Sequence, residues 1–176
     1  MTKHDLNGVH VLNKYLWAEL QKSNLMGEYD YNGLVPIIPT QQVPVFNDMA
    51  AGKAFIVYTY LVASYDVDLW ANVEQVTYRI YSDDERKLRQ ISNLLIDLCK
   101  RFDWTAADVN KWIDGYATPD GDEKKFEFKY VQVVGSTSPE PFAQEGGRQN
   151  ASVTVRMAFV HDMVTAVAGN NLGMRA

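Results

Sequence analysis

Two pairs of residues could contribute to a phosphate or nucleotide site. Gly52-Lys53 resembles the end of a phosphate-binding loop, in which backbone N–H groups and a lysine surround the phosphates. However, Asn47 stands where the first glycine is needed, and Ala54 replaces the Ser or Thr that would hold magnesium. Gly146-Gly147 lacks the third, spaced glycine of a dinucleotide-binding loop. We therefore expect no cofactor.

Neighbouring carboxylates occur at two places, and such pairs can bind calcium or perform acid–base chemistry. Asp120 and Asp122 begin like a calcium-binding loop, but Val131 occupies the twelfth position, where a glutamate is needed. The other pair, Asp83-Asp84, stands at a predicted helix start, where carboxylates stabilise the positive end of the helix dipole. We interpret the first pair as a solvated turn and the second as a helix cap.

The single cysteine and the three histidines do not form a zinc-binding pattern, because Cys99 combines with none of them in a suitable spacing. Cys99 lies beside the apolar face of a predicted helix, and a free cysteine there commonly behaves as a small buried apolar residue. No Gly-x-Ser-x-Gly elbow is present, and a dispersed Ser/His/Asp triad has no positive support. We expect no catalytic or metal-binding residues and hence no enzyme.

Composition narrows the class of protein. The 176 residues are 47% apolar, which excludes wholesale disorder and suits one domain. The 17 Lys and Arg against 22 Asp and Glu give a net charge of −5, so the chain lacks the basic footprint of a general nucleic-acid-binding protein. The sequence has neither the layout of a secretory signal nor an apolar run long enough to cross a bilayer. We expect assembly in the cytoplasm and no membrane contact.

The spacing of apolar residues predicts three helices. Steps of three and four residues indicate amphipathic helices over Asp5–Lys22 and Leu88–Phe102. The second is preceded by Ser82-Asp83-Asp84-Glu85, which matches a capping box in which Ser82 caps the helix and the Glu85 carboxylate reaches back. A short third helix is predicted to end at Gly115.

Alternating or β-rich stretches predict four strands, and the first two are joined by a predicted loop around Tyr65–Asn72. The proline-rich connector Met26–Gly52 is predicted to lie against the body with a brief edge strand. We predict a single α+β domain over residues 1–162, a mainly antiparallel sheet of about four strands covered by two or three helices, followed by a flexible tail over residues 163–176. The predicted strands are Ala54–Ala63, Val73–Tyr81, Phe126–Val134 and Ser152–Val160.

Two long segments place apolar and charged residues in predicted loops. Loops of this length are usually functional or disordered, and their apolar content argues against disorder. We predict that both contact another protein surface; the alternative is that they cover the core of their own subunit. The candidate interface residues are Pro36, Ile37, Ile38, Pro39, Pro44, Phe46, Pro141, Phe142, Glu145, Gly146, Gly147 and Arg148.

The order of these motifs resembles that of the tail terminator proteins of long-tailed bacteriophages over residues 5–162. The resemblance rests on the amphipathic first helix and on five further motifs that follow in the same order. They are Pro36-Ile-Ile-Pro39 with Pro44, Arg79-Ile-Tyr-Ser-Asp83-Asp84 leading into the second helix, Phe126-Glu-Phe, Gln144-Glu145-Gly-Gly-Arg148 and a last alternating strand.

The resemblance implies a homo-oligomeric, hexameric ring that caps the head-proximal end of the tail tube, ends tube polymerisation and docks the neck or connector protein. In contractile-tailed relatives the ring also contacts the tail sheath protein. DNA would pass through without specific binding, which an acidic subunit suits because carboxylates repel phosphate. The protein would lie at the tail–neck junction of the virion, with Glu145 and Arg148 as polar partners across an interface.

Three other functions remain open from the sequence. The first is another ring-forming neck or head-completion adaptor, which would share the arrangement of helices over a sheet. The second is a small hydrolase with a dispersed active site, which would require a deep polar pocket with clustered titratable residues. The third is a monomeric module that binds a small ligand or a peptide.

Overall fold

Three helices and five strands follow one another along the residues that the computed structural model describes, which are 7–26, 35–40, 54–68, 70–99, 106–115, 126–137 and 149–161. The helices are α1 (Gly8–Lys22), α2 (Glu85–Leu98) and α3 (Ala107–Gly115). The strands are β1 (Ile37–Pro39), β2 (Phe55–Asp66), β3 (Ala71–Ser82), β4 (Phe126–Ser136) and β5 (Gln149–His161). The predicted tail over residues 163–176 lies outside the described residues.

The five strands form one sheet in the order β1-β2-β3-β5-β4. The pairs β2–β3, β3–β5 and β5–β4 are antiparallel, and only the short β1 runs parallel to its neighbour. The N–H of Ile56 donates to the carbonyl of Pro36 at 2.8 Å, which begins the parallel pair. The prediction of a single α+β domain is confirmed, with five strands instead of about four because the edge strand of the connector joins the sheet.

The helices cover one face of the sheet, and the core lies between them. On β3, Val76, Tyr78 and Ile80 are buried in that core, whereas Gln75, Thr77 and Arg79 alternate with them and point to the opposite face. This is the alternation that the sequence predicted. On the helix side, residues at steps of three and four positions are fully buried: Val9, Leu12, Leu16, Leu20, Leu88, Ile91 and Leu95.

Helix α1 begins against the sheet at a position where no side chain would fit. Asn7 caps the helix, and its Oδ1 accepts from the N–H of His10 at 2.7 Å. A Cβ on Gly8 would lie 2.5 Å from two ring carbons of Phe159, which is too close for any real contact. Glycine at this position therefore allows the helix to approach the aromatic residues of β4 and β5 closely.

The predicted capping box is wrong, because Asp84 caps helix α2 in place of Ser82. Asp84 Oδ1 accepts from the N–H groups of Arg86 and Lys87 at 2.9 and 3.2 Å. Ser82 is the last residue of β3 and is fully buried, and its hydroxyl accepts from the N–H of Asp84 instead. The Glu85 carboxylate pairs with Arg89 one turn along the helix. Strand pairing thus extends further than the sequence pattern indicated.

The connection between β2 and β3 is also shorter than predicted. The two strands pair as far as Asp66 and Ala71, so half of the predicted loop over Tyr65–Asn72 is strand and only residues 67–70 connect the strands. Asp66 Oδ1 accepts from the N–H of Asp68 at 3.0 Å and closes the first part of the turn. The result is one long antiparallel hairpin.

Candidate interaction surface

The structure describes the first four of the twelve candidate interface residues. Ile37 and Ile38 are almost fully buried in their own chain, Pro36 is buried, and Pro39 is half-buried. Ile37 belongs to the core under the helices, because it pairs with Ile56 on the same face of the sheet. The premise that these two isoleucines need a foreign surface to cover is wrong, since β1 pairing buries both.

The remaining candidates lie outside the described residues, so their contacts stay predictions. They are Pro44, Phe46, Pro141, Phe142, Glu145, Gly146, Gly147 and Arg148.

A different exposed apolar surface lies on the β2–β3 hairpin. Seven large apolar side chains are exposed among the described residues, and five of them belong to this hairpin. Leu61, 52% exposed, lies in the middle of β2 where the register with β3 shifts. Three others form the end of the hairpin: Tyr65 is 54% exposed, Val67 67% and Trp70 74%. With Asp66 and Asp68 they make up the surface that we call the hairpin tip. Exposed apolar clusters of this kind mark interaction sites.

The hairpin tip lies at the exposed end of two paired strands. The paired strands continue to its end, yet the successive residues Ala63, Ser64 and Tyr65 are all exposed, so both faces of this part of β2 meet solvent. Trp70 has a φ of 49°, a left-handed conformation that costs a non-glycine residue on the order of 1 kcal/mol. The turn therefore holds a large aromatic side chain in water in a strained backbone.

The open sheet face, opposite the helices, carries a polar central band on β3, β5 and β4. Thr77 and Thr154 lie side by side in its middle, with their Oγ1 atoms 2.9 Å apart. Arg79 and Arg156 are exposed on either side of these threonines, and the band contains no carboxylate. The members of this polar band are Gln75, Thr77, Arg79, Gln132, Thr154 and Arg156.

The long edge strand β4 is modified in ways that oppose pairing with another sheet. Its register shifts twice, between Phe128 and Tyr130 and between Val133 and Gly135. Asn110 of α3 bonds to both backbone groups of Phe128, donating to the carbonyl at 2.8 Å and accepting from the N–H at 2.9 Å. Bulges and covered backbone groups protect an edge from extension. Contact through the hairpin tip is therefore a better route to assembly than strand addition at β4.

The buried titratable groups have structural roles. Glu74 is 93% buried, given its 7% exposure, and its Oε2 accepts from the N–H of Val9 at 3.0 Å; burial raises its pKa. The Tyr78 hydroxyl donates to Asn13 at 2.8 Å, and burial raises the pKa of this tyrosine as well. Burial raises the pKa of the Cys99 thiol to about 12, so the thiol stays protonated and is a poor nucleophile. The expected burial of Cys99 is confirmed.

The concave surfaces among the described residues are open grooves along the helices. One groove of about 440 Å³ lies between α1 and α3, where the rings of Tyr15 and Trp112 meet edge to face with centroids 5.7 Å apart. Burial, with a smaller effect of Glu19, raises the pKa of Tyr15 to about 12. Within the described ranges, no three His, Cys, Asp or Glu side chains are grouped so that they could hold a metal ion.

Sequence reasoning missed the hairpin tip, although a signal was present. Val67, Leu69 and Trp70 are apolar residues within the predicted loop around Tyr65–Asn72. Three apolar residues in so short a connection indicate exposure, because a connection of four residues has no interior. The same reasoning that selected the proline-rich loops would have selected this turn.

Comparison with known protein families and with curated protein sequences finds no match. No described helix is long and apolar enough to cross a membrane. The function is therefore inferred from the arrangement of this chain's own residues.

Proposed function

We propose that this protein is the structural subunit of a ring that caps the head-proximal end of a bacteriophage tail tube. In this role it ends tube polymerisation and presents a docking surface to the neck or connector protein, as the resemblance to tail terminators implies. The ring is a homo-oligomer, expected to be a hexamer, located at the tail–neck junction of the virion.

The observation that carries this proposal is the hairpin tip. Three large apolar residues, Tyr65, Val67 and Trp70, lie at the end of a paired hairpin and are between 54% and 74% exposed. Exposed apolar surfaces mark protein–protein contacts among other sites, and this one suits a subunit that must bind copies of itself and a tube.

Two further properties support an assembly that closes. The protected edge of β4 opposes open-ended extension of the sheet, which suits a component that stops growth. The net charge of −5 suits a ring through which DNA moves, because an acidic subunit does not retain phosphate.

Electron microscopy of tail tubes assembled from purified tube protein tests the function. We expect tubes polymerised with this protein to be shorter than tubes polymerised alone and to carry a ring of extra density at one end. Trp70→Ala is expected to abolish both effects, while Trp112→Ala, on the helix side, leaves them in place. Tubes of unchanged length with bare ends would refute the proposal; binding to the connector alone would indicate a neck adaptor instead.

A further inference from the structure

We propose that the hairpin tip of one subunit binds the polar band on the open sheet face of a second copy of the same chain. This inference rests on the proposed ring function and specifies which two surfaces form the subunit contact.

Charge complementarity identifies the two surfaces. Residues 58–72 contain Asp66 and Asp68 and no lysine or arginine, so the hairpin tip is acidic. The polar band carries Arg79 and Arg156 and no carboxylate. Asp68 and Arg156 are exposed in the isolated subunit, Asp68 in the turn and Arg156 beside the central threonines of the polar band. Attraction of this kind selects the partner and its orientation.

The side-chain chemistry of the two surfaces also matches. A guanidinium group binds a carboxylate through two parallel hydrogen bonds and stacks on aromatic faces. The hairpin tip offers both kinds of partner, because the Asp68 carboxylate and the Trp70 indole lie two residues apart on one turn. The polar band adds the amides of Gln75 and Gln132, which can bond to turn carbonyls. Arginine on aromatic rings is a favourable contact at interfaces.

The contact must be between different copies, because a subunit cannot reach its own polar band. Arg156 lies opposite Gln75, and Gln75 is four residues along β3 from the turn. At the usual rise along a strand, roughly 13 Å separates Arg156 from the turn. The continuous pairing of β2 and β3 as far as Asp66 and Ala71 holds the tip away from the sheet face. Asp68 is therefore too far from Arg156 of its own subunit to pair with it.

Two different surfaces on one chain make a heterologous contact. Such a contact repeats from subunit to subunit and closes into a ring when its rotation fits a whole number of copies. In a two-fold dimer the same two surfaces would pair reciprocally, and the contact would stop at two copies. The arrangement of tip and band fits the ring geometry, and covalent multimers larger than a dimer distinguish the ring from the reciprocal dimer.

A charge-swap experiment tests the pairing. Asp68→Arg and Arg156→Asp should each weaken self-association by about tenfold, measured as the dissociation constant from sedimentation velocity, since like charges then face each other. The double variant Asp68→Arg/Arg156→Asp should recover the wild-type constant. Lys111→Asp and Asp114→Arg, exposed on α3 at the helix side, serve as matched controls and should change nothing. Equal effects of the swaps and the controls, or a double variant weaker than both singles, would overturn the proposal.

Cross-linking gives a second readout that does not depend on affinity. Cysteines replace Val67 on the tip and Thr154 beside Arg156, and Cys99 stays silent because it is buried. The double variant Val67→Cys/Thr154→Cys should give a ladder of covalent multimers with a short bismaleimide, free or on tubes, whereas each single variant stops at the dimer. The control pair Asp114→Cys/Thr154→Cys should give no ladder.

The two proposals fail separately. If covalent multimers form and the charge-swap double variant recovers self-association, but tubes are not capped, the subunit contact is supported and the tail function is refuted. Capped tubes without a ladder, in free protein and on tubes alike, would keep the function and overturn the contact.

Discussion

The backbone N–H of Val9, in the first turn of α1, donates to the Oε2 atom of Glu74 at 3.0 Å, and Glu74 lies on the central strand β3. A carboxylate from the sheet thus satisfies an N–H group that no residue of the helix can pair. The contact also places a negative charge at the positive end of the helix dipole. It fixes the start of α1 relative to the sheet.

Replacing Glu74 by alanine should lower the unfolding free energy by about 1–3 kcal/mol, because the buried N–H of Val9 loses its acceptor. Glu74→Gln keeps an oxygen acceptor at this position and should cost much less. Urea unfolding at pH 7 measures both variants. An alanine variant as stable as the glutamine variant would show that the hydrogen bond contributes little.

The same residue predicts a pH dependence of stability. Burial raises the pKa of Glu74 above its ordinary value of 4.5, and the hydrogen bond from Val9 opposes this shift. The folded chain then holds the proton more tightly than the unfolded chain, so this group's stabilisation is complete below pH 4.5 and is lost as the pH rises through the folded pKa. We expect Glu74→Gln to remove that loss. If the unfolding free energy changes with pH equally in the wild-type protein and in Glu74→Gln between pH 4 and 7, this prediction is wrong.

Gly8→Ala should destabilise the protein by about 1–3 kcal/mol, although alanine is the better helix former. The new methyl group would meet the Phe159 ring at 2.5 Å. That ring cannot move aside easily, because it stacks on Phe126 with centroids 5.2 Å apart. Gly115→Ala, which meets nothing within 4 Å, is the matched control. Thermal melts showing equal effects for both variants would refute this account of α1 packing.

Asp84→Ala should cost about 0.5–2 kcal/mol, the usual loss when a helix cap is removed. Asp83→Ala is the matched control, since Asp83 is exposed next to the cap, and its effect should stay within about 0.5 kcal/mol. Chemical unfolding measures the unfolding free energy of both variants. If Asp83→Ala costs as much as Asp84→Ala, general charge at the helix start matters more than the cap itself.

The sequence predicted most of the fold because its signals were local. Alternation along β3 and the steps from Leu88 to Leu95 each depend on one element and were correct. The cap of α2 was wrong because the end of β3 is set by pairing with β5, a contact between distant residues. The burial of Ile37 depends likewise on pairing with Ile56. The exposure of Trp70 depends on how short the connection between β2 and β3 is, and strand pairing as far as Asp66 and Ala71 sets that length.

Asn110→Ala should lower the unfolding free energy by about 1–3 kcal/mol, because the N–H and C=O of Phe128 both lose a partner. It should also increase aggregation, since those groups face the outer edge of β4. Asn93→Ala, an exposed asparagine on α2, is the control. Light scattering during a thermal ramp measures the second effect. An unchanged scattering profile together with unchanged stability would show that β4 needs no cover at Phe128.

Trp70→Gly should separate stability from assembly. Glycine adopts the left-handed conformation at φ 49° without strain, and the exposed indole contributes little packing, so the unfolding free energy should change by no more than about 1 kcal/mol. Self-association and tube capping should both be lost, because the largest apolar side chain of the hairpin tip is gone. Calorimetry and sedimentation on the same sample test the two parts together. A variant that loses more than about 2 kcal/mol while still associating would make Trp70 a folding residue instead of a contact.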